Sequence, residues 1–295
     1  MRIGGRPSAS PGGHRRATKR RSGRPAYPRQ VRIGSISIEP LRDGSGTEQA
    51  GEIISRFSDP EAWRCHPDHF GDDGRWSFPV GGFLVRTGDR VVLVDAGVGP
   101  MDEDGYVGGA LLDSLAEHGV TPPEVTDVVF THLHFDHIGW TSVDGSPVFP
   151  NATYRCHEAD WTYFVDGPTA AAPVRDKLLP IRERFIPFTG DHQIAPGLDA
   201  RAAPGHTPGS TVFVASSGER RAILLGDVVH SVVQLSEPDW TVVWDVDPVA
   251  ASQMRNALAD EAAARGDLVV AAHFPEMRFG RVLIAEGRRQ FSAIA

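Results

Sequence analysis

The stretch THLHFDHIGW, residues Thr131–Trp140, places three of the chain's twelve histidines and one aspartate within six residues: His132, His134, Asp136 and His137. Such groups are costly to bury without a partner, so they form either a solvated surface turn or a metal site. The apolar residues VVF run directly into them and predict a buried strand that ends just before the stretch. Because α/β sheets usually present binding groups at the carboxyl ends of their strands, the metal site is the better interpretation.

The spacing within this stretch suits the coordination of an ion by one short loop. His132 and His134 are two residues apart, so in extended backbone their side chains point to the same side. Asp136 and His137 follow on a turn that Gly139 permits. Imidazole and carboxylate ligands together suit zinc, iron, manganese or cobalt. One loop supplies only part of a coordination shell, so further ligands are expected elsewhere in the chain.

Three further segments repeat the same arrangement, in which a metal-capable side chain adjoins an apolar strand or a tight glycine loop. PGHTPGS contains His206, AILLGDVVH carries Asp227 just past an apolar run, and LVVAAHF has His273 at the end of another run. Any one of these residues alone is more often structural than a metal ligand. Taken together and in this order, they indicate a two-metal site.

These motifs resemble those of the metallo-β-lactamase-fold superfamily of metallohydrolases. The resemblance covers about residues 31–285 and rests on HLHFDH, PGHTPG, LLGD and AAHF, together with VVLVDAG, which contains Asp95. It implies an α/β fold, an αβ/βα four-layer sandwich, with a dinuclear metal site at the edge of its two sheets. The implied ligands are His132, His134 and His206 for the first metal, Asp136, His137 and His273 for the second, and Asp227 as the bridge. Zinc is the expected metal, with manganese, cobalt and iron as alternatives, and Asp95 is expected to orient a ligand.

Two longer segments narrow the resemblance. HIGWTSVDGSPVFPNATYRCHEADW and GDVVHSVVQLSEPDWTVVWDVDP resemble the branch that includes methyl-parathion-hydrolase-like enzymes and quorum-quenching lactonases. The bridging position holds Asp227 rather than a cysteine, so the zinc β-lactamases proper are a poorer match. Many lactonases of this superfamily carry a tyrosine shortly after that aspartate, whereas the third residue after it here is His230. His230 is a candidate proton donor or substrate contact.

The resemblance and the ligand set predict a metallohydrolase in which two divalent ions share a hydroxide. That hydroxide would cleave a small-molecule ester-type bond in a lactone, a carboxyl ester or a phosphotriester. Asp136 and His230 are the expected catalytic residues, Asp136 because a carboxylate there can orient the nucleophile or carry its proton. Two alternatives stay open: an iron-dependent oxidoreductase on the same fold, and a hydrolase whose basic arm adds a nucleic-acid or surface-binding role.

Composition divides the chain into a basic arm and an acidic body. Residues 1–32 contain ten Lys or Arg and no acidic residue, so the net charge of −8 comes from a strongly acidic remainder. Residues 1–30 are rich in Gly, Pro, Ser and Arg and lack apolar periodicity, which predicts a disordered arm. We expect a single hydrolase domain over residues 31–295.

The same composition bounds the partners and the location. No apolar run is long enough to span a bilayer, and the acidic body argues against nucleic acid as a partner. The only two cysteines, Cys65 and Cys156, are typical of a protein from a reducing compartment. We therefore expect a cytoplasmic enzyme with a small-molecule substrate and no membrane partner, and a homodimer is an open option.

Hydrophobic periodicity predicts the elements that position these groups. A strand is expected from Val31, and GGFLVRTGDRVVLVDAG predicts a hairpin that turns at residues 87–89. Helices are predicted at 157–164, 173–185 and 248–264, and strands at 198–202, 211–215 and 221–225. Residues 52–78 are predicted to be a loop, which with residues 228–245 and Trp140 would wall the substrate pocket.

Overall fold

The computed structural model describes residues 30–56, 58–168 and 170–294. Within them, two mixed β-sheets lie face to face, and helices cover the outer face of each sheet. This arrangement is the predicted αβ/βα four-layer sandwich of the α/β class. The predicted N-terminal arm lies outside the described residues except for Gln30, so its disorder and the domain boundary at residue 31 stay predictions.

The first sheet is built around one long antiparallel pair, in which Ile36–Gln49 lies against Arg75–Thr87. Its path runs through Thr153–Arg155, Asp127–Val129, Arg90–Val94, Arg75–Thr87, Ile36–Gln49, Tyr106–Val107 and Asp102–Glu103, and Val31–Ile33 pairs with Ile36–Gln49. Asp127–Val129 is parallel to both of its neighbours. The carboxyl ends of these three parallel strands therefore meet at one edge of the sheet, where the histidine-rich stretch begins.

The strand Arg75–Thr87 begins earlier than predicted, so the expectation of a loop is wrong for residues 75–78. It is also wrong for residues 52–55, which belong to the helix Ala50–Ile53 and the strand Ile54–Ser55. Trp76 and Phe78 are buried while Arg75 and Ser77 are exposed, which is the period-two pattern of a half-buried strand. Pro79 and the two glycines that interrupt the run obscured this pattern in the sequence. The strand needs glycine at position 81, because a Cβ there would collide with the backbone of the neighbouring strand.

The second sheet is mostly antiparallel. Its seven described strands lie in the order His192–Ala195, Leu198–Ala202, Thr211–Ser217, Arg220–Leu224, Leu268–Val270, Gly280–Ala285 and Arg288–Ala293. The strands predicted at 198–202, 211–215 and 221–225 are confirmed to within two residues. The one parallel pair joins Arg220–Leu224 to Leu268–Val270, and both strands end a few residues before a metal-capable side chain.

Strand alternation divides the interior into three apolar layers. Val92 and Val94 lie in the layer between the two sheets, whereas Leu93, between them in sequence, packs beneath the helix Leu111–Glu117. On the second sheet Ile223 packs against the helix Pro248–Arg265. Each strand buried on both faces thus serves two layers, which is why its sequence is a continuous apolar run.

The described helices are short except for Pro248–Arg265, which confirms the helix predicted at 248–264. It begins at Asp247, whose carboxylate accepts hydrogen bonds from the first-turn amides, and ends at Gly266 with φ = +67°. The other α-helices are Ala50–Ile53, Leu111–Glu117, Phe135–Ile138, Glu158–Trp161, Ala172–Leu178 and Val233–Ser236. Short segments of 3₁₀ or π-helix occupy Ala62–Cys65, Pro122–Glu124, Thr162–Asp166, Leu179–Arg184, Gly226–Val228 and Pro275–Met277. No helix in the described ranges has both the length and the apolar character needed to cross a bilayer.

Two small ribbons complete the structure. Ser142–Val143 pairs with Ser146–Pro147, and Ile54–Ser55 pairs with Thr241–Val242. The second ribbon joins the two segments that were expected to build the pocket, because Ile54–Ser55 belongs to one of them and Thr241–Val242 to the other.

Candidate metal centre

The histidine-rich stretch leaves the strand Asp127–Val129 and turns at once into the short helix Phe135–Ile138. Asp95, at the end of the neighbouring parallel strand, fixes this turn through its carboxylate. It accepts hydrogen bonds of 2.8 Å from both the amide and the hydroxyl of Thr131. Asp95 itself has φ = 60°, an uncommon conformation for a residue other than glycine.

Three imidazoles form a first donor cluster. His134 Nδ1 lies 3.0 Å from His132 Nε2 and 2.9 Å from His206 Nε2, and the two Nε2 atoms are 3.3 Å apart. Zinc–nitrogen bonds of about 2.0–2.1 Å at tetrahedral angles separate the nitrogens by about 3.3–3.4 Å. The three ring nitrogens therefore have nearly the spacing of three corners of a zinc tetrahedron.

A second donor cluster contains two imidazoles and a carboxylate. Asp136 Oδ2 lies 3.7 Å from His137 Nε2 and 3.4 Å from His273 Nε2. All three side chains are buried. They come from the helix Phe135–Ile138 and from the loop that follows the strand Leu268–Val270, so two different sheets contribute to the cluster.

Asp227 lies between the two clusters and offers one oxygen to each. Its Oδ1 is 3.3 Å from His137 Nε2 and 3.4 Å from His273 Nε2. Its Oδ2 is 3.8 Å from both His132 Nε2 and His206 Nε2. Gly226, with φ = +51°, makes the turn possible, because a Cβ there would press against Thr131. All seven residues predicted as ligands therefore converge on one buried place.

Burial and charge suit this donor set to cations. Burial lowers the pKa of His134 to about 3, and the pKa of His132 falls well below its ordinary value for the same reason. Both imidazoles are therefore neutral and have a free lone pair at neutral pH. In contrast, Asp227 and Asp136 outweigh the effect of burial and raise the pKa of His273 to about 10. The buried carboxylates are thus stabilised by positive charge next to them. Protonated imidazoles carry that charge here, and divalent cations bound at the same place would stabilise the carboxylates more strongly.

Buried polar atoms without a hydrogen-bond partner also indicate a cation site. His137 Nε2 and Asp227 Oδ1 are buried and have no hydrogen-bond partner among the described residues. Leaving such groups unsatisfied costs about 1–3 kcal/mol each, so their presence at one spot needs an explanation. A bound metal ion is a partner of the right chemistry for both atoms.

Supporting groups orient the donor imidazoles from behind. Asp95 Oδ2 lies 2.9 Å from His137 Nδ1, in the orienting position expected from the sequence. Asp245 Oδ1 lies 3.0 Å from His206 Nδ1, and the Pro79 carbonyl lies 2.9 Å from His273 Nδ1. Such partners fix the ring direction and the tautomer of a ligand histidine. Asp245 was not predicted from the sequence, because an acidic residue in the segment WDVDP has no spacing that marks it.

His230 is fully buried beside the first cluster. Its Nε2 lies 3.1 Å from Asp227 Oδ2, yet neither ring nitrogen makes a hydrogen bond within the described part of the chain. The side-chain oxygen of Gln234 accepts hydrogen bonds from the backbone amides of His230 and Ser231, at 2.8 and 3.2 Å. Gln234 thus holds the backbone of His230, and the ring points its Nε2 towards Asp227, where His206, Asp227 and His230 also lie close enough together to form a donor group.

Aromatic rings surround the donor clusters. Phe78 contacts His273 with ring centroids 4.8 Å apart, Phe164 contacts His134 at 5.4 Å, and Trp244 lies 5.9 Å from His230. Phe135 is 44% exposed. Trp140, expected to wall the pocket, instead packs against the outer core of the first sheet and donates its indole N–H to Asp43.

Comparison with known sequences places the chain near one family. The family model described as "Metallo-beta-lactamase superfamily" matches residues 78–273, a range that contains all seven candidate donors. An N-acyl homoserine lactonase from Bacillus cereus is 24% identical over 172 residues, which cover 50% of this chain and 63% of the lactonase. The match thus spans less than two-thirds of that relative. Metallo-beta-lactamase domain-containing protein 1 from Mus musculus is 30% identical over 210 residues, 67% of each chain.

Solved structures share the architecture. AidC, described as a dizinc quorum-quenching lactonase in complex with a product, superposes with a TM-score of 0.81 at 23% identity, over 90% of this chain and 97% of AidC. AbOPH, described as a hydrolase in the β-lactamase superfamily, superposes with a TM-score of 0.80 at 24% identity, over 90% of this chain and 97% of AbOPH. At such identities the similarity shows a common fold.

Proposed function

Because this chain belongs to the metallo-beta-lactamase superfamily, we propose that it is a hydrolase that uses two divalent metal ions to cleave a small-molecule ester-type bond. The observation that carries the proposal is the position of Asp227, whose two oxygens face two separate donor clusters. The substrate classes are lactones, carboxyl esters and phosphotriesters. Lactones come first, because curated relatives that match this chain are named N-acyl homoserine lactonases.

In this proposal the donor clusters described above hold one ion each. The ligands are His132, His134 and His206 for the first ion, Asp136, His137 and His273 for the second, and Asp227 for both. Zinc is the expected metal because the three nitrogens of the first cluster have nearly the spacing of three corners of a zinc tetrahedron, and manganese, cobalt and iron are the alternatives. The chemistry that two divalent ions supply is the acidification of water and the polarisation of a carbonyl or phosphoryl oxygen.

Asp136 is proposed to orient the attacking water and to carry its proton. Burial opposes ionisation of this carboxyl, but His137 and His273 outweigh burial and lower its pKa to about 2. The carboxylate is therefore ionised at neutral pH and can accept a hydrogen bond from water. Hydrolysis joins the oxygen of water to the acyl carbon or phosphorus and leaves a proton on the departing oxygen. One carboxylate is sufficient for this proton transfer, because it can take the proton from the attacking water and give it to the departing oxygen.

His230 is proposed to donate a hydrogen bond to a substrate oxygen. Burial lowers the pKa of its imidazole, so the ring is neutral at pH 7 and offers one N–H. Neither ring nitrogen has a protein hydrogen-bond partner in the described residues. A substrate oxygen that lies beside Asp227 would provide the missing acceptor, and its negative charge would grow during attack at that position. This role replaces the one that a tyrosine has in many lactonases of the superfamily.

The aromatic surroundings support a substrate with an apolar portion next to the scissile bond. Phe164 contacts His134 of the first cluster, Trp244 contacts His230, and Phe135 precedes Asp136 in sequence and contacts Tyr106. Burying an apolar group against such rings stabilises a complex by about 25 cal/mol for each Å² removed from water. An acyl chain or an aryl ester fits this chemistry better than a highly charged substrate.

The proposal is tested by metal analysis together with a substrate panel. Lactones, aryl esters and phosphotriesters are assayed after zinc, manganese, cobalt or iron has been restored to metal-free protein. We expect two equivalents of metal per chain and hydrolysis of at least one class. Iron dependence with oxygen consumption would instead favour the oxidoreductase alternative.

Variants make the test specific to the site. His134→Ala and Asp227→Ala should abolish hydrolysis and lower the metal content while the chain stays folded. His192→Ala is the matched control, since His192 is exposed on the strand His192–Ala195 away from the clusters, and it should keep both metal and activity. A fully active, metal-free His134→Ala/Asp227→Ala double variant would refute the proposal.

The proposal also carries the expectations about partners and location. A small-molecule substrate, a cytoplasmic location and no nucleic-acid partner remain parts of it, and a homodimer stays an open option. Removal of residues 1–30 tests the arm directly: unchanged hydrolysis with lost binding to DNA or anionic vesicles would give the arm an independent role.

A further inference from the structure

We propose that Asp43, on the strand Ile36–Gln49, is a positioning residue for the second donor cluster. The inference rests on the proposed function only in treating that cluster as a metal site. Asp43 does not touch any of the candidate ligands. Its influence reaches them through the loop Asp95–Gly99, which we call the bracing loop.

Asp43 gathers five hydrogen bonds on one buried carboxylate, which is only 1% exposed. Its donors are Val98 N and Gly99 N at 2.8 Å, Gly109 N at 3.0 Å, Leu111 N at 2.9 Å and Trp140 Nε1 at 2.9 Å. All five are neutral N–H groups from three separate segments. A carboxylate has lone pairs for about four strong hydrogen bonds, so its acceptor capacity is fully used.

The bracing loop in turn holds the helix Phe135–Ile138. The amide of Ala96 donates to the His137 carbonyl at 2.7 Å, and the amides of Gly139 and Trp140 donate back to Gly97 and Ala96 at 2.7 and 2.9 Å. The Asp95 carboxylate in the same loop contacts His137 Nδ1 at 2.9 Å. The loop therefore fixes His137 from its backbone and from its ring.

The packing leaves little room for adjustment. Gly97 has φ = +57°, and a Cβ there would lie 2.5 Å from Asp43 Oδ2. A Cβ on Gly139 would collide with the Val98 backbone. The Asp43 side chain thus packs against the loop at Gly97, and the loop backbone packs against the helix end at Gly139, so a shift of the bracing loop must displace the helix that carries Asp136 and His137. The first cluster has a support that lies outside the bracing loop, since Asp245 holds His206. Its His132 is linked to the bracing loop only indirectly, because Thr131 Oγ1 lies 3.1 Å from His132 Nδ1 and Thr131 is held by Asp95.

This asymmetry predicts a selective defect in Asp43→Asn. The asparagine keeps the shape but replaces one oxygen with an NH₂ group, which must face N–H donors in either orientation. Zinc ions alone are titrated into the metal-free full-length chain. We expect the affinity for the second ion to fall about tenfold or more, as for other residues behind a metal ligand, while the affinity for the first ion changes by less than about threefold. His134→Ala removes one donor of the first cluster and His273→Ala removes one donor of the second. Titrations of these two variants show which zinc-binding step belongs to which cluster.

A readout without metal separates this inference from the proposed function. In the metal-free protein, amide hydrogen exchange should accelerate at residues 95–99 and 135–140 in Asp43→Asn. Asp127→Asn is the matched control, since Asp127 is also a fully buried carboxylate of the first sheet, paired with Arg90 away from the clusters. It should lower thermal stability while both zinc affinities and the exchange of those two segments stay as in the parent.

Several outcomes would overturn the inference. Unchanged exchange at both segments would do so whatever metal the protein binds, and so would a parallel loss of affinity for both ions. If Asp43→Asn does not fold, Trp140→Phe decides, because it removes one of the five donors and keeps a ring. We expect it to weaken the second ion alone by about threefold, and an unchanged second affinity would refute the role of Asp43.

Discussion

Asp245 offers the sharpest test of how the centre is held together. Its buried Oδ1 lies 3.0 Å from His206 Nδ1, opposite the nitrogen that joins the first cluster. The other carboxylate oxygen, Oδ2, has no hydrogen-bond partner among the described residues. The carboxylate therefore acts mainly on His206, by selecting the tautomer with a lone pair on Nε2 and by holding the ring still.

The expected magnitudes follow from what each substitution removes. Asp245→Asn keeps an acceptor of the same shape but loses the charge, so we expect the affinity for the first ion to fall about tenfold, or about 1.4 kcal/mol. Asp245→Ala also leaves the buried Nδ1–H without a partner, which costs a further 1–3 kcal/mol or so. We expect a total loss near 100-fold, about 2.7 kcal/mol, for the alanine variant.

The assay combines competition with a chromogenic chelator and urea unfolding of the metal-free protein. Asp245→Asn should change the free energy of unfolding without metal by less than about 1 kcal/mol, because the hydrogen bond survives. Asp267→Asn is the control variant. Asp267 is also a buried carboxylate, but it directly precedes the strand Leu268–Val270 and pairs with Arg221 and Arg265 instead of a candidate ligand. Equal zinc affinities in the parent and in Asp245→Ala would refute the reasoning.

Three further predictions concern other parts of the molecule. In native protein, Cys65 should react quickly with Ellman's reagent and Cys156 should not, because burial shields Cys156 and raises the pKa of its thiol; two fast thiols would contradict this. Glu261→Gln should lower the free energy of unfolding by about 1 kcal/mol at pH 7, since Glu261 pairs with Arg201 and Arg221 at 2.7 and 3.0 Å. Hydrogen bonds from Arg201 lower the pKa of Glu261 below 4.5, so this stabilisation exists above pH 4.5 and should fade as the pH falls through the lower folded value; a pH-independent difference in urea titrations would disprove it. Gly266→Ala should lower the melting temperature at a cost of about 1 kcal/mol, because Gly266 ends its helix with φ = +67°.

The candidate donors could be found from sequence because they follow a local rule. His132, Asp227 and His273 each come just after a buried apolar strand, and such strands are recognisable as continuous runs of Val, Leu and Ile. The fold class followed from the same motifs. What the pattern missed was the start of the strand Arg75–Thr87, where Pro79 and two glycines interrupt an otherwise regular alternation.

The supporting residues could not be found in this way. Asp43 and Asp245 are ordinary acidic residues in the sequence, with no neighbouring motif and no helpful spacing. Their roles depend on contacts across 39 residues of chain for Asp245 with His206 and 97 residues for Asp43 with Trp140. Trp140 shows the converse, because its position next to the histidines suggested a pocket wall and the fold turned its indole inward.

The sequence by itself indicated which side chains could bind metal, because donor type and strand periodicity are local properties, and the resemblance of its motifs to a known superfamily implied the fold that carries them. Only the tertiary structure brought those donors to within a few ångströms of one another, in the grouping that the resemblance implied. The division into two clusters, with one oxygen of Asp227 facing each, exists only where loops from both sheets meet. The same is true of the orphaned nitrogens of His230 and the five bonds of Asp43, since the pairing of a buried polar group depends on every segment packed around it.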